Sequence, residues 1–222
     1  MFRKLPVSTI ERLSLLYHHC RRLRAERIER VSSSRLGADL GIPAHTIRKD
    51  INFLGEVGDT GSGYDVSRLQ RHLAESMGFD QPHKTCIVGL GRLGSAFLSY
   101  SQLEPDGFPI TAAFDSSINR LETIRTDIPL FPAHEIAEVV RREQIEMALL
   151  TVPAESAVEA AESLAHGGIK GIVNFAPVFV NPDPDTIAVR NMNVVNELRI
   201  LSSLSTLKEA NPQPLPEKNK GD

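Results

Sequence analysis

Apolar residues at the start of the chain recur at three- and four-residue steps, which predicts a long amphipathic helix. The pattern runs over residues 9–29 without a glycine or a proline. A serine run at 32–34 then offers N-cap candidates for a second helix that ends at Gly41. Pro43 suits the first turn of a third helix that reaches Leu54. Two helices joined by a glycine-containing turn are typical of a helix-turn-helix domain.

The third predicted helix carries a basic polar face. Its apolar positions face inward, so the remaining side chains project outward, namely His45, Thr46, Arg48 and Lys49. On a recognition helix such residues contact base edges in the major groove, and the cations neutralise phosphates. A solvated basic face on a three-helix bundle would show the same pattern, and the helix alone favours neither interpretation.

A glycine-rich segment follows this helix and predicts a tight β-hairpin of the winged-helix type before Tyr64, its glycines being Gly55, Gly58, Gly61 and Gly63. The distribution of charge along the chain also agrees with an N-terminal DNA-binding domain. Residues 1–78 hold 13 Lys+Arg against 9 Asp+Glu, a net +4, whereas the other 144 residues hold 12 against 19, a net −7. The asymmetry indicates a polyanionic partner for the N-terminal part.

After a short predicted helix over 66–77 and a boundary near Pro82, a second pattern begins. An apolar strand at 86–88 runs directly into Gly89-Leu-Gly-Arg-Leu-Gly94 and a helix. In this dinucleotide-binding setting Gly89 permits the tight turn, Gly91 lets the backbone approach a pyrophosphate and Gly94 permits close packing of the helix. The anion would lie on the N–H groups at the helix start.

The next predicted strand, 110–114, ends at Asp115, which lies 21 residues after Gly94. An acid at this place accepts hydrogen bonds from the adenosine ribose. Because a carboxylate repels a 2′-phosphate and two serines follow Asp115, the residues favour NAD(H) over NADP(H). Arg120 keeps the second cofactor open, and Asp115 has the alternative role of capping a turn.

Strands and helices alternate beyond this point, which predicts a doubly wound parallel sheet of the Rossmann type. The strand ends at 151–153 and 174–177 are expected to line the nicotinamide side, although a proline after a strand also serves simply to end it. A last apolar helix over 193–207 has a stripe that must be buried somewhere. The proline-containing tail from Pro212 is expected to be disordered.

Other classes of protein fit the sequence poorly. Two distant cysteines, Cys20 and Cys86, supply neither a disulfide framework nor a zinc site, and adjacent residues 18–20 cannot converge on one metal ion. No apolar run has the ~20 residues that a membrane span requires, and the first residues lack a signal peptide. We expect no metal, no membrane association and a location in the cytoplasm.

The chain resembles, over nearly its full length, the Rex family of redox-sensing transcriptional repressors. The resemblance rests on motifs at 48–50 (RKD), 61–64 (GSGY), 87–95 (IVGLGRLGS), 150–153 (LTVP) and 168–177 (GIKGIVNFAP). It implies a homodimer that exchanges its C-terminal helix, packed near the partner's nicotinamide pocket and DNA-binding domain. It also implies that NADH releases operator DNA whereas NAD+ permits binding, and that Tyr100 lies near the nicotinamide.

Pattern and resemblance together give an α/β chain with a winged-helix DNA-binding domain at 1–80, a Rossmann NAD(H)-binding domain at 81–190, a dimerisation helix at 191–210 and a tail at 211–222. The expected nucleotide contacts are Gly89, Gly91, Arg92, Leu93, Gly94, Tyr100, Asp115, Thr151, Val152, Pro153, Asn174, Phe175, Ala176 and Pro177. The expected DNA contacts are Ser34, His45, Thr46, Arg48, Lys49, Gly61 and Tyr64.

The sequence departs from the family at positions that matter for its function. Asp59 and Thr60 stand in the predicted wing where members usually carry a basic residue or two. His18 stands where an Arg is common, and Asn193 with Val194 replaces an Asp followed by a large apolar residue. We hypothesise a divergent member with an altered redox response or altered DNA preference.

Two other functions stay open at this point. An NAD-dependent dehydrogenase with a helical appendage would need a general acid or base beside the nicotinamide, and no His, Lys or Cys constellation supplies one, so we expect no catalytic residue. The third possibility is a regulator that binds another adenine ligand, such as a coenzyme A derivative, because the glycine motif does not report on the nicotinamide end.

Overall fold

The computed structural model of the protein describes residues 5–55 and 63–210. It divides into two compact units, Met1–Pro82 and His83–Asp222. The division falls two residues from the sequence-based boundary after residue 80. None of the helices within the described ranges is long and apolar enough to cross a membrane.

The N-terminal unit is a helical bundle with one small antiparallel ladder. Its elements are α1 (Val7–Ala25), β1 (Arg30–Val31), α2 (Ser33–Leu40), α3 (Ala44–Phe53), β2 (Tyr64–Asp65) and α4 (Val66–Met77). Ser32 caps α2 by accepting the N–H of Arg35 at 3.1 Å, and Gly41 ends it with a φ of +67°. Helices α2 and α3, with the turn at Gly41 between them, therefore form the predicted helix-turn-helix.

Two details of this unit differ from the expectation. The first helix ends at Ala25 rather than near residue 29, because Arg27 takes a φ of +59° and the N–H of Ile28 turns back to Leu23. The predicted hairpin includes residues 56–62, which lie outside the described residues. Strand β2, which follows them, pairs with β1, with Val31 opposite Tyr64.

The C-terminal unit is a six-stranded parallel sheet in the order β5-β4-β3-β6-β7-β8. The strands are β3 (Thr85–Val88), β4 (Ile110–Asp115), β5 (Leu130–Pro132), β6 (Met147–Leu150), β7 (Gly171–Asn174) and β8 (Ala188–Asn191). The helices are α5 (Arg92–Leu98), α6 (Ile118–Thr123), α7 (Ile136–Glu143), α8 (Ala154–Gly167) and α9 (Val194–Ala210). This order confirms the doubly wound sheet. From β3 the chain adds strands first on one side (β4, β5) and then, from β6 onward, on the other, and ligands bind in such folds at this switch in strand order.

Both faces of the sheet are covered by helices. Residues of α7 and α8, including Val139 and Leu164, pack on one face. Phe97 and Leu98 of α5 with Leu121 of α6 pack on the other. The sheet is buried on both sides, as a parallel sheet requires.

The final helix, α9, contrasts with this covered sheet. Its apolar stripe lies at least half exposed in the single chain, and comprises Val194, Leu198, Leu201, Leu204 and Leu207. Asn193 caps the helix by accepting the N–H of Asn196 at 3.0 Å. The burial that the sequence demands for this stripe is thus not supplied within one described chain.

Candidate functional site

The glycine-rich turn between β3 and α5 fits closely against the neighbouring strand end. Gly89 has a φ of +95°, and a Cβ there would lie 2.8 Å from Val152 Cγ1. A Cβ on Gly94 would lie 1.9 Å from the carbonyl oxygen of Gly89, so only glycine lets the helix approach the turn. A Cβ on Gly91 would meet nothing within 4 Å. The backbone at Gly91 therefore borders open space, as a pyrophosphate site requires.

Asp115 joins the end of β4 to this turn. Its side chain is only 3% exposed. One carboxylate oxygen accepts the N–H of Leu90 at 2.7 Å, and the other accepts the N–H of Ser117 at 2.8 Å. Arg120 Nη1 lies 3.3 Å from both oxygens. The acid thus lies beside the glycine turn, where the spacing predicted it.

Thr151 supports the turn from the other side of the switch in strand order. Its hydroxyl lies 2.6 Å from the carbonyl oxygen of Gly89, to which it donates. Val152 packs against the turn, and the exposed Pro153 caps α8. The segment 151–153 therefore borders the glycine turn, and the Thr151 hydroxyl holds the protein backbone rather than facing open space.

Asn174 is fully buried at the end of β7 and organises the loop that follows. Its amide nitrogen donates to the carbonyl oxygen of Val178 at 2.7 Å and to Asn191 Oδ1 at 2.8 Å. Its amide oxygen accepts the N–H of Ala176 at 2.9 Å. Both amide hydrogens are used within the protein, so Asn174 positions this loop, and its expected contact with a nucleotide stays a prediction.

The other expected nucleotide contacts differ in exposure. The Phe175 ring packs 5.3 Å from the Phe97 ring, and Ala176 is buried, whereas Pro177 is exposed. Arg92 and Leu93 are exposed at the start of α5, and Tyr100 is exposed just beyond its end. These three side chains are open to a ligand or to another chain.

Neither cysteine offers a nucleophile. Burial raises the pKa of Cys86, in the strand before the turn, to about 12. Burial likewise raises the pKa of Cys20 to about 12. Because only the thiolate attacks, both thiols are inert near neutral pH.

The outer face of α3 presents the expected basic side chains. His45, Arg48 and Lys49 are exposed, and Thr46 is partly buried. Arg48 Nη1 donates to Ser33 Oγ at 2.8 Å, so α3 is tied to the start of α2, where Ser34 is exposed. Both helices of the helix-turn-helix thus present exposed polar side chains.

Asp50 supports this surface from behind and was missed at the sequence level. It is buried and accepts from Arg12 of α1, whose Nε lies 2.5 Å from one oxygen and whose Nη2 lies 2.8 Å from the other. The bond to Asp50 raises the pKa of Arg12. A signal existed in the sequence, since an acid follows Ile47 by three residues on the apolar face of the helix.

Tyr64, expected as a DNA contact, lies in the core of the N-terminal unit. It is 4% exposed, and its hydroxyl has no hydrogen-bond partner within the described ranges. Burial raises the pKa of this phenol. A side chain so enclosed is a core residue in this conformation, and its expected contact with DNA stays a prediction. Gly61, the other predicted wing contact, lies outside the described residues, as do Asp59 and Thr60.

Comparisons with known proteins cover both units. A family model described as a putative DNA-binding protein N-terminus matches residues 4–52, and one described as a CoA binding domain matches residues 80–178. The redox-sensing transcriptional repressor Rex of Desulforamulus reducens is 32% identical over 206 residues, which cover 93% of this chain and 98% of that protein. Rex of Limosilactobacillus reuteri is 33% identical over 199 residues, or 90% and 92% of the two chains.

Solved structures agree with these relatives. The crystal structure of RSP, a Rex-family repressor, matches with a TM-score of 0.83 at 27% identity and covers 94% of this chain and 97% of that one. RSP in complex with β-NAD+ and operator DNA matches at 0.83 and 28%, over 95% and 100% of the chains. RSP in complex with β-NADH matches at 0.82 and 27%, over 94% and 97%.

Proposed function

Because the chain belongs to the Rex family of redox-sensing transcriptional repressors, we propose that it binds operator DNA as a homodimer and releases that DNA when NADH occupies its C-terminal unit. The named relatives are repressors rather than enzymes, in agreement with the expectation that no residue is catalytic. A repressor works where operator DNA is, so we place this protein in the cytoplasm.

The glycine turn carries the nucleotide part of the proposal. Gly91 leaves room for a pyrophosphate, and Gly94 brings the start of α5 against the turn. Asp115 is the candidate ribose acceptor beside it. NAD(H) brings a nicotinamide whose reduction removes one positive charge. Thr151 and Asn174 hold the backbone around the site, and the exposed Arg92, Leu93 and Tyr100 are available to close over a ligand.

Discrimination between the two redox states follows from charge. An apolar pocket accepts the neutral reduced ring, whereas it imposes a desolvation cost on the oxidised, cationic ring. If NADH binds better to the arrangement that cannot hold DNA, its occupancy shifts the population towards that arrangement. A shift from 1:99 to 99:1 requires about 5.5 kcal/mol of differential affinity.

The exposed face of α3 supports the DNA part of the proposal. His45, Arg48 and Lys49 are exposed and would face a major groove, and Asp50 fixes the helix that carries them. In a dimer the two recognition helices must lie ~34 Å apart to reach successive major grooves. A modest rotation between subunits would abolish that match.

The apolar stripe of α9 supports the homodimer. An exposed stripe of this size on a single chain marks an interaction site, since burying it gains free energy in proportion to its apolar area. A second copy presents the same stripe, so exchange of α9 between two chains would cover both at once.

One titration tests the proposal directly. Fluorescence anisotropy of labelled operator DNA, selected from random sequence at stated salt, would be measured against this protein with NADH and with NAD+. We expect NADH to release the DNA and NAD+ to leave it bound. A complex that ignores NADH would contradict the redox-sensing part, and His18, Asn193 and Val194 would then be the first positions to restore.

A second candidate ligand is favoured by one observation. The family model that matches residues 80–178 is described as a CoA binding domain. Calorimetry with NADH, NAD+ and coenzyme A would separate the two ligands. Tighter binding of coenzyme A than of either dinucleotide would favour a regulator that responds to acyl carriers.

A further inference from the structure

We propose that Arg120 is a displaceable cover of the Asp115 carboxylate and that it sets the preference of this site between the plain adenosine ribose of NAD(H) and the 2′-phosphorylated ribose of NADP(H). The inference rests on the proposed nucleotide-binding function. It goes beyond that function because it assigns the choice of cofactor to a residue outside the glycine turn.

The argument begins with the hydrogen-bond acceptors of Asp115. A carboxylate has about four lone-pair positions. The N–H groups of Leu90 and Ser117 use one on each oxygen, at 2.7 and 2.8 Å. Arg120 Nη1 lies 3.3 Å from both oxygens and so occupies the edge between them. A ribose diol that donates to both oxygens needs that same edge, so Arg120 and the ribose compete for it.

Of the two partners in this pair, Arg120 is the one that can move. Asp115 is 3% exposed and held by two backbone N–H groups, whereas the Arg120 side chain is 53% exposed. A distance of 3.3 Å is long for an N–H···O bond. An ion pair with one exposed partner is also weakened by solvent. A bound ribose would therefore displace the guanidinium and leave the acid in place.

The displaced guanidinium stays close to the ribose, because Arg120 is anchored on α6, five residues from Asp115 in sequence. Guanidinium binds phosphate strongly and often through two parallel hydrogen bonds. Ser116 and Ser117 add no carboxylate to this corner of the site. The cation thus offsets the repulsion that Asp115 alone would exert on a 2′-phosphate.

Isothermal titration calorimetry with NADH and NADPH tests this inference on the full-length chain and its Arg120→Ala variant. We expect NADH to bind about threefold more tightly to the variant, because its competitor for Asp115 is gone. We expect NADPH to bind about tenfold more weakly, because the cation for its 2′-phosphate is gone. Arg120→Lys should lie between, since it keeps the charge but loses the planar fork.

Arg125→Ala is the matched control, because it removes an exposed arginine just beyond α6. It should leave the ratio of the two affinities unchanged. An unchanged ratio of the two affinities in Arg120→Ala would overturn the inference. If both affinities fell equally, Arg120 would be a support for Asp115 only. If the unaltered protein binds neither NADH nor ADP-ribose, the proposed function itself fails and the inference fails with it.

Discussion

Arg12 of the first helix holds Asp50 of the third through two nitrogens, at 2.5 and 2.8 Å, and so fixes the recognition helix from its buried side. We expect Asp50→Ala to destabilise the N-terminal unit by about 2–3 kcal/mol, because it leaves a partly buried arginine without its acid. Urea unfolding followed by circular dichroism measures this change.

Operator affinity should fall together with stability in Asp50→Ala. The double variant Arg12→Leu with Asp50→Leu is the control, since replacing both charges by apolar groups costs less than removing one. An unfolding midpoint equal to that of the unaltered protein would show that the pair does not position α3.

Two glycine substitutions should separate folding from ligand binding. Gly91→Ala meets no protein atom within 4 Å, so we expect an unchanged melting temperature and a loss of NADH affinity of tenfold or more. Gly94→Ala forces a Cβ to within 1.9 Å of the Gly89 carbonyl oxygen, so it should also lower stability by about 1–3 kcal/mol. Differential scanning calorimetry with and without NADH reports both effects. Full NADH affinity in Gly91→Ala would place the pyrophosphate elsewhere.

A carboxylate at the amino-terminal ends of the strands, just before β6, should make stability depend on pH. The pKa of Glu146 lies below its ordinary value of 4.5 because the carboxylate accepts hydrogen bonds from two side chains. Lys170 has the larger effect, and His83 Nδ1, which lies 2.7 Å from Glu146 Oε2, has the smaller one. A lowered folded-state pKa contributes stability above the unfolded value, and that contribution disappears as pH falls through the folded value.

We therefore expect Glu146→Gln to lower stability by about 0.5–1 kcal/mol at pH 7. This deficit should shrink as pH falls below the unfolded value and vanish as pH falls through the lowered folded-state pKa of Glu146. Thermal unfolding across this range measures the difference. Glu159→Gln, an exposed change on α8, is the control and should show no such pH window. A deficit that persists unchanged in acid would point to lost packing rather than to charge.

The exposed stripe of α9 predicts the oligomeric state. Leu201→Glu places a charge in the middle of the stripe, so we expect a homodimer to become a monomer in light scattering coupled to size-exclusion chromatography. Thr206→Glu, about 140° from Leu201 around the helix and without a stripe residue three or four positions away, is the control and should keep the dimer. Identical masses for both variants would mean that α9 does not hold the subunits together.

Salt dependence should identify the phosphate contacts of α3. Lys49→Ala is expected to weaken operator binding and to reduce the slope of log affinity against log salt by about one. Lys84→Ala removes the same charge from the C-terminal unit, where Lys84 donates to the carbonyl oxygen of Glu143. If both variants change the slope equally, net charge rather than contact accounts for the effect.

The sequence predicted the elements whose local signals are strong. Ser32 and Gly41 bound α2 as expected, and Asp115 ends β4 beside the glycine turn. Strand β5 was missed because it is short and ends in a proline, and β8 because its side chains are only partly buried. Strands with so little apolar pattern are formed by pairing with their neighbours, which a single segment does not reveal.

The functional side chains divide in the same way. Backbone roles, such as those of Gly89 and Gly94, follow from spacing alone. The direction of a polar side chain depends on partners far away in sequence, so Asn174 pointed to its own loop and Tyr64 to the core. Asp50 was missed because its partner, Arg12, lies 38 residues earlier.

The two asparagines at the end of the sheet connect places that lie far apart in sequence. Asn191 binds both the amide of Asn174 and the backbone of Val180, and only Met192 and Asn193 separate it from α9. Hydrogen bonds therefore connect the loop that follows β7 with the segment that leads into α9. A ligand that moves this loop would therefore be expected to move the start of α9 as well.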